Sequence, residues 1–130
     1  MNKTHLLHEN CIICKSNNSH SLGMTYFMAD DWIYSNLTTC DKLQGYDGIV
    51  HGGVIAAMFD AVMVNYLLHH EIIALTAEIN IRYKEPLHIN QQIQVRATLF
   101  SHKKSLYFMQ GEIICEQQLM ATANAKFIKI

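Results

Sequence analysis

The sequence predicts an α+β domain in which one antiparallel sheet wraps around a single long helix. Apolar residues recur every three or four positions from residue 54 to about residue 69, which is helical spacing. Beyond that segment, apolar and polar residues alternate, as is typical of strands. Nearly every position of the helical segment is apolar, so we expect the helix to be covered on most sides, with a second copy of the chain covering the face that remains.

The elements follow one another in a simple order. Residues 1–20 are polar and predict an N-terminal arm, and residues 21–130 are of a size that predicts one domain. Two strands are expected at residues 24–28 and 32–39, followed by a loop that carries four of the six glycines and then by the helix. Four antiparallel strands complete the chain, at residues 77–83, 93–100, 106–115 and 119–130.

Charge and composition narrow the classes of function. Ten Lys and Arg residues balance eleven Asp and Glu residues, with no basic block, so nucleic acid is not an expected partner. The longest apolar run, residues 54–68, is interrupted by Asp60 and Asn65 and is shorter than the ~20 residues of a membrane span. No apolar leader is visible at the start, and four cysteines are too few for a secreted disulfide framework. A cytoplasmic setting without a membrane span is therefore expected.

The helix entry, His51-Gly52-Gly53, is the first candidate site. The first turn of a helix has backbone N–H groups without intrahelical partners, and the helix dipole adds positive potential there. Two glycines leave those donors open to a polarised carbonyl or a developing oxyanion. The alternative is that Gly52 and Gly53 only permit a tight turn and close packing.

Asp60, within the apolar helix, is the second candidate. No basic residue lies three or four positions away, so it is either a core Asp satisfied by a polar group, or a nucleophile or general base. Gly52 lies eight residues before it, roughly 12 Å along a helix. Both groups must come within ~3 Å of one carbonyl to act together. We therefore expect Gly52 of one subunit to face Asp60 of another, in a homodimer with two equivalent sites.

Three segments carry a resemblance to a known family. "GIVHGGVIAAMFDAVM" resembles the signature of the hotdog-fold acyl-CoA thioesterases of the phenylacetate-pathway (PaaI-like) branch. "TAEINIRYKEPL" is similar to the strand after the family's helix, and "CIICKSNNSHSLGMTYF" is similar to the opening of many members, with a Gly and a Pro replaced. The resemblance implies a hotdog dimer or tetramer that hydrolyses acyl- or aroyl-CoA.

The resemblance also implies roles for individual residues. Asp60 takes the position of the catalytic acid, Gly52 that of the carbonyl-polarising N–H, and His51 that of the residue that holds the loop. Thr76 matches a hydroxyl that orients the attacking water in some relatives. Some relatives use an Asn or Gln in the loop before the His to assist at the substrate carbonyl, and Gln44 is the nearest amide to that position here, so it is a candidate substrate-binding residue. Where many relatives have Glu after the acid, this chain has Ala61.

Weaker signals concern substrate binding. Gly53 belongs to the open helix entry, and Met63 is interpreted either as adaptable core or as acyl-pocket lining. Lys103 and Lys104 are interpreted as point charges for CoA phosphates or as a solvated turn. The same two interpretations apply to Arg82.

The sequence thus predicts an acyl-CoA thioesterase that needs no metal or other cofactor. Cys11 and Cys14 invite a zinc interpretation, but a structural zinc site needs four ligands, and we favour ordinary cysteines. One rival function is hydration or dehydration of an acyl thioester, whose Asp/His or His/Glu patterns are not found. The other rival is an acyl-CoA-binding hotdog protein without catalysis.

Overall fold

The computed structural model describes residues 11–14 and 22–130. One helix lies against a six-stranded antiparallel sheet of order β1-β2-β4-β5-β6-β3, as the sequence predicts. A short 3₁₀ helix, Asp41–Leu43, precedes the long helix. The elements are β1 Phe27–Ala29, β2 Trp32–Thr38, α1 Gly52–His69, β3 Ala74–Tyr83, β4 Gln92–Lys103, β5 Leu106–Cys115 and β6 Gln118–Lys129.

The N-terminal part of the chain differs from the prediction. Strand β1 begins three residues later than expected, because the Leu22 and Met24 N–H groups donate to the carbonyls of Ile12 and Ile13 instead of to a strand. Residues 11–14 thereby pack onto the domain, and Cys14 is buried in its core. The rest of the predicted arm lies outside the described residues, so the boundary at residue 20 stays a prediction.

Helix α1 supplies the centre of the core. It packs against β2, β3, β4 and β5. Within the described residues it alone is long and apolar enough to cross a membrane, yet 56% of that stretch is buried inside the fold, as in the core helix of a globular domain. The ten buried side chains of α1 are Ile55, Met58, Phe59, Ala61, Val62, Met63, Asn65, Tyr66, Leu67 and Leu68.

One stripe of α1 is incompletely covered by its own chain. Gly53, Ala57, Asp60 and Val64 are spaced by four, three and four residues, so they lie along one face of the helix. Gly53 is exposed and the other three are only partly buried. The sequence predicted that one face of the helix would need cover from a second copy of the chain. This stripe is that face, and it carries Asp60.

Gly111 in β5 lets the helix approach the sheet closely. A Cβ atom at this position would lie 3.0 Å from Phe59 Cδ1, 3.1 Å from Met63 Cε and 3.2 Å from the Arg96 carbonyl oxygen. The two side chains belong to α1, while the carbonyl belongs to the paired strand β4. A side chain larger than hydrogen would thus push the helix, the strand or both out of place.

We expect Gly111→Ala to lower the free energy of unfolding by about 1–3 kcal/mol through overpacking, as measured by urea denaturation. Gly52→Ala is the matched control, because the nearest described atoms to its Cβ would be those of the Tyr83 side chain, at an ordinary 3.6 Å. Equal stability of Gly111→Ala and the unmodified protein would contradict the close-packing role.

Candidate active site

The entry of α1 leaves one backbone donor without a partner. His51 is the N-cap, and its Nδ1 atom accepts the Gly53 N–H at 2.8 Å. The N–H groups of Val54 and Ile55 donate to the His51 carbonyl oxygen at 3.0 and 3.2 Å. Among the residues described, the Gly52 N–H is the one donor of this first turn that makes no hydrogen bond. It is thus the donor available to a ligand.

Gly53, the second glycine of the helix entry, makes room for the His51 side chain together with Gly45. A Cβ on Gly53 would lie 3.1 Å from His51 Nδ1, and one on Gly45 would lie 2.9 Å from His51 Cδ2. Gly45 and Gly53 therefore make room for the capping imidazole of His51. The backbone N–H of His51 donates to the Leu43 carbonyl oxygen at 2.8 Å. Because the Gly53 N–H is already taken by His51, this residue supports the loop instead of offering a donor to substrate.

Gln44 also acts within the loop. Its Oε1 atom accepts the backbone N–H of Gly48 at 2.9 Å. Gly48 has a φ of +81°, a conformation that glycine adopts at little cost. The side chain thus stabilises the turn that leads to His51, and its carbonyl oxygen is occupied there.

Asp60 is paired with a hydroxyl of the same chain. The Thr76 Oγ1–H donates to Asp60 Oδ1 at 2.5 Å. The Asp60 side chain is half-buried on the incompletely covered stripe of α1, and Thr76 is exposed at the start of β3. The carboxylate therefore has one oxygen oriented by a hydroxyl and remains accessible from the uncovered side.

A β-bulge is what turns Thr76 toward the helix. The pairing of β3 with β6 shifts between Thr76 and Glu78, so Ala77 is an extra residue. In regular alternation Thr76 and Ile79 would point to opposite faces, because they are three residues apart. With the bulge, both lie on the helix side. The sequence contained no clear sign of this irregularity.

Tyr83 is a residue of the site that the sequence did not single out. It ends β3, 31 residues after Gly52, and its Oη–H donates to the Gly52 carbonyl oxygen at 2.8 Å. The side chain is 52% exposed. A Tyr at the end of an amphipathic strand is an ordinary feature, and only the contact between β3 and α1 shows where its hydroxyl goes.

The other predicted substrate-binding residues do not converge with Asp60 in one chain. Met63 is fully buried between α1 and β5. Arg82 alternates with Ile81 and Tyr83, so it points to the sheet face away from the helix. Lys103 ends β4 and Lys104 occupies the following turn, with a φ of 56°.

The described residues contain no group of three or more His, Cys, Asp or Glu side chains that would hold a metal ion. Cys14 Sγ lies 3.0 Å from Tyr26 Oη and accepts a hydrogen bond from Asn65 Nδ2 at 3.4 Å. Burial is the main cause that raises the pKa of the Cys14 thiol to about 11, so without a bound metal the thiol is protonated near neutral pH.

Solved structures share the fold of this chain. The protein RHA08564, described as a thioesterase superfamily protein, matches with a TM-score of 0.84 and 21% identity, over 89% of this chain and 61% of its own. The E. coli PaaI protein from the phenylacetic acid degradation operon matches with a TM-score of 0.75 and 18% identity, over 84% and 80% of the two chains. The hotdog fold expected from the sequence is thereby confirmed.

A third structure, a hypothetical thioesterase from Streptococcus pneumoniae with coenzyme A, has a TM-score of 0.75 and 13% identity, over 79% of this chain and 84% of its own. Two variants of the S. pneumoniae protein have also been solved, one with Asp replaced by Ala and one with Thr replaced by Ala.

Sequence relatives point to the same family. The mouse acyl-coenzyme A thioesterase THEM4 is 37% identical over 90 residues, which are 68% of this chain and 39% of that protein. This chain therefore spans about two-fifths of the length of that relative. The thioesterase superfamily profile matches residues 47–122, which contain the helix entry, Asp60 and Thr76. The chain belongs to the thioesterase superfamily.

Proposed function

We propose that this protein hydrolyses acyl-CoA thioesters at sites shared between two copies of the chain. One observation carries the proposal: α1 holds an unpartnered N–H at Gly52 and, eight residues later, a carboxylate paired with the Thr76 hydroxyl. These are the two parts that thioester hydrolysis requires, a donor for the oxyanion and a group that delivers the nucleophile.

The relatives support the class of substrate. The mouse relative is named an acyl-coenzyme A thioesterase, and the S. pneumoniae structure contains coenzyme A. The Asp and Thr replaced in the two S. pneumoniae variants are sixteen residues apart. Asp60 and Thr76 have the same separation in this chain, so we infer that the two pairs correspond.

The edge of β3, which no other strand of the described residues pairs with, favours a homodimer. Strand β3 lies at the end of the sheet, and Leu75 in it is 60% exposed. A ten-residue edge strand is a template for pairing with another strand. Antiparallel pairing of two copies about the middle of β3 would put Thr76 of one copy near Tyr83 and Gly52 of the partner subunit. The uncovered stripe of α1 would be covered in the same step.

The proposed reaction uses Asp60 in one of two ways. As a general base, Asp60 accepts a proton from water, and the water oxygen attacks the thioester carbonyl. As a nucleophile, Asp60 attacks the carbonyl itself, and water then hydrolyses the resulting anhydride. In both, the Gly52 N–H of the partner subunit stabilises the oxyanion, the C–S bond breaks, and CoA leaves as a thiolate that takes up a proton.

Further features of the function stay predictions. Lys103, Lys104 and Arg82, all of which are exposed, are proposed to attract CoA phosphates. Assembly of dimers into a tetramer and a cytoplasmic setting also stay predictions. Aromatic, medium-chain and long-chain acyl groups are all candidates for the substrate.

The proposal is tested by incubating the purified protein with acetyl-, octanoyl-, palmitoyl- and benzoyl-CoA and measuring released CoA with a thiol reagent. We expect turnover with at least one class. Binding of acyl-CoA by calorimetry without release of CoA from any of them would instead support a binding protein and would sink the proposed enzyme.

A subunit-mixing experiment tests the shared site. Asp60→Asn removes the carboxylate of the shared site, and Gly52→Pro removes the N–H donor. A homodimer of either variant should therefore be inactive. Unfolding and refolding the two variants together at equal concentrations should restore about a quarter of wild-type activity, because half of the dimers are mixed and each mixed dimer has one intact site of two. Activity that stays at the level of the separately refolded variants would show that the site lies within one chain.

A further inference from the structure

The peptide group between Gly52 and Gly53 is held at both ends by side chains. Its carbonyl oxygen accepts the Tyr83 Oη–H at 2.8 Å, and its N–H donates to His51 Nδ1 at 2.8 Å. The two side chains reach the same peptide from different elements: His51 is the cap of α1, and Tyr83 ends β3. Tyr83 is thereby attached to the residue whose own N–H is unpartnered.

This attachment matters because two consecutive glycines form the most flexible backbone available to a protein. The Gly52 N–H lies in the peptide between His51 and Gly52, and its direction relative to the rest of α1 depends on the two torsions about the Gly52 Cα atom. On one side, the preceding peptide is held by the bonds from Val54 and Ile55 to the His51 carbonyl. On the other side, the Tyr83 and His51 side chains hold the following peptide, so neither peptide can rotate freely.

The Tyr83 side chain contributes little to the core. It is 52% exposed, and its ring lies beside Gly52, where an added Cβ would be 3.6 Å from it. An exposed hydrogen bond of this kind stabilises a fold weakly, because water competes for both partners. Its main effect is on the geometry of the glycine entry.

We propose that Tyr83 is a positioning residue that orients the Gly52 N–H toward the thioester carbonyl. The inference rests on the proposed thioesterase function and adds to it a residue that touches the oxyanion donor and not the reacting atoms. Preorganised donors act in the transition state, so a misdirected N–H lowers turnover more than it weakens substrate binding.

The test is Tyr83→Phe, which keeps the ring and removes the hydroxyl. We expect kcat to fall about 5- to 20-fold with KM changed less than about 2-fold. The ¹H and ¹⁵N resonances of the Gly52 and Gly53 amides should shift, while those of the last turn of α1 should not. Tyr46→Phe is the matched control, because Tyr46 is 85% exposed in the loop before α1; it should leave kcat and both amides unchanged.

The two measurements separate the possible failures. If the wild-type protein turns over substrate and Tyr83→Phe has the same kcat, the positioning role is overturned, whether or not the amide resonances shift. Unshifted Gly52 and Gly53 amides overturn it as well, since the hydroxyl then does not hold this peptide. If the wild-type protein releases no CoA from any thioester, the proposed function itself has failed and the positioning role falls with it, even where the amides shift.

Discussion

An Asp60→Asn variant should lose about 10³-fold in kcat for acyl-CoA hydrolysis, within the range reported for removal of a general base or nucleophile. Asn has the same shape but cannot take a proton from water or attack a carbonyl. Its Oδ1 atom can still accept the Thr76 hydroxyl, so the local arrangement is retained. Initial rates of CoA release over a range of substrate concentrations would measure the effect.

Two controls make this result specific. The half-buried position of Asp60 predicts that Asn changes the free energy of unfolding by less than about 1 kcal/mol, and affinity for an acyl-CoA that is not turned over should persist. Asp30→Asn is a matched substitution in the turn between β1 and β2, where φ is 51° and Asn is well tolerated. It should keep full activity. An Asp60→Asn variant as active as Asp30→Asn would remove Asp60 from the mechanism.

A Gly52→Pro variant should lose about 10²- to 10³-fold in kcat, the usual effect of deleting one oxyanion donor. Proline lacks the N–H, and the first helical position accepts it readily. His51 has φ −62° and ψ 134°, a conformation that a residue before proline adopts without strain. The substitution therefore deletes one donor that makes no hydrogen bond in the described fold. We expect the helix to form normally, as checked by circular dichroism.

Gly52→Ala separates the N–H from the added bulk. Alanine places a Cβ in the same region but keeps the N–H donor. Among the described residues, the atoms nearest to that Cβ are those of the Tyr83 side chain, at 3.6 Å. We expect Gly52→Ala to be markedly more active than Gly52→Pro and slightly more stable than the wild type. Equal losses in the two variants would assign the effect to crowding of the site and would count against the N–H as the oxyanion donor.

Much of this site could be predicted from the sequence because its residues lie close together along the chain. The periodicity of residues 54–69 predicted α1 to within two residues of its observed start at Gly52. The family resemblance implied that His51 holds the loop, and in the structure His51 caps the helix through Nδ1. The eight-residue separation of Gly52 and Asp60 follows from helix geometry alone. Each inference needs only neighbours within two or three helical turns.

Packing gives several of the candidate side chains contacts that the sequence could not specify. Gln44 and Gly53 were predicted to touch substrate, but in this fold the Gln44 side-chain oxygen and the Gly53 N–H are both used inside the loop. Met63, interpreted either as core or as acyl-pocket lining, is fully buried against β5. These outcomes depend on which donors and cavities the folded loop leaves open, and residue type alone carries no information on that.

The sequence by itself determined that one apolar helix crosses an antiparallel sheet, and that this helix carries a glycine entry and a carboxylate too far apart to act on one carbonyl. The tertiary structure alone decided that Thr76 faces Asp60 and that Tyr83 reaches the Gly52 carbonyl. Both contacts join β3 to α1 and depend on the register of β3 against β6, which shifts at Ala77. A one-residue shift reverses the face of every side chain on one side of it. Alternation along the chain cannot reveal such a shift, because it results from the pairing of strands that are distant in sequence.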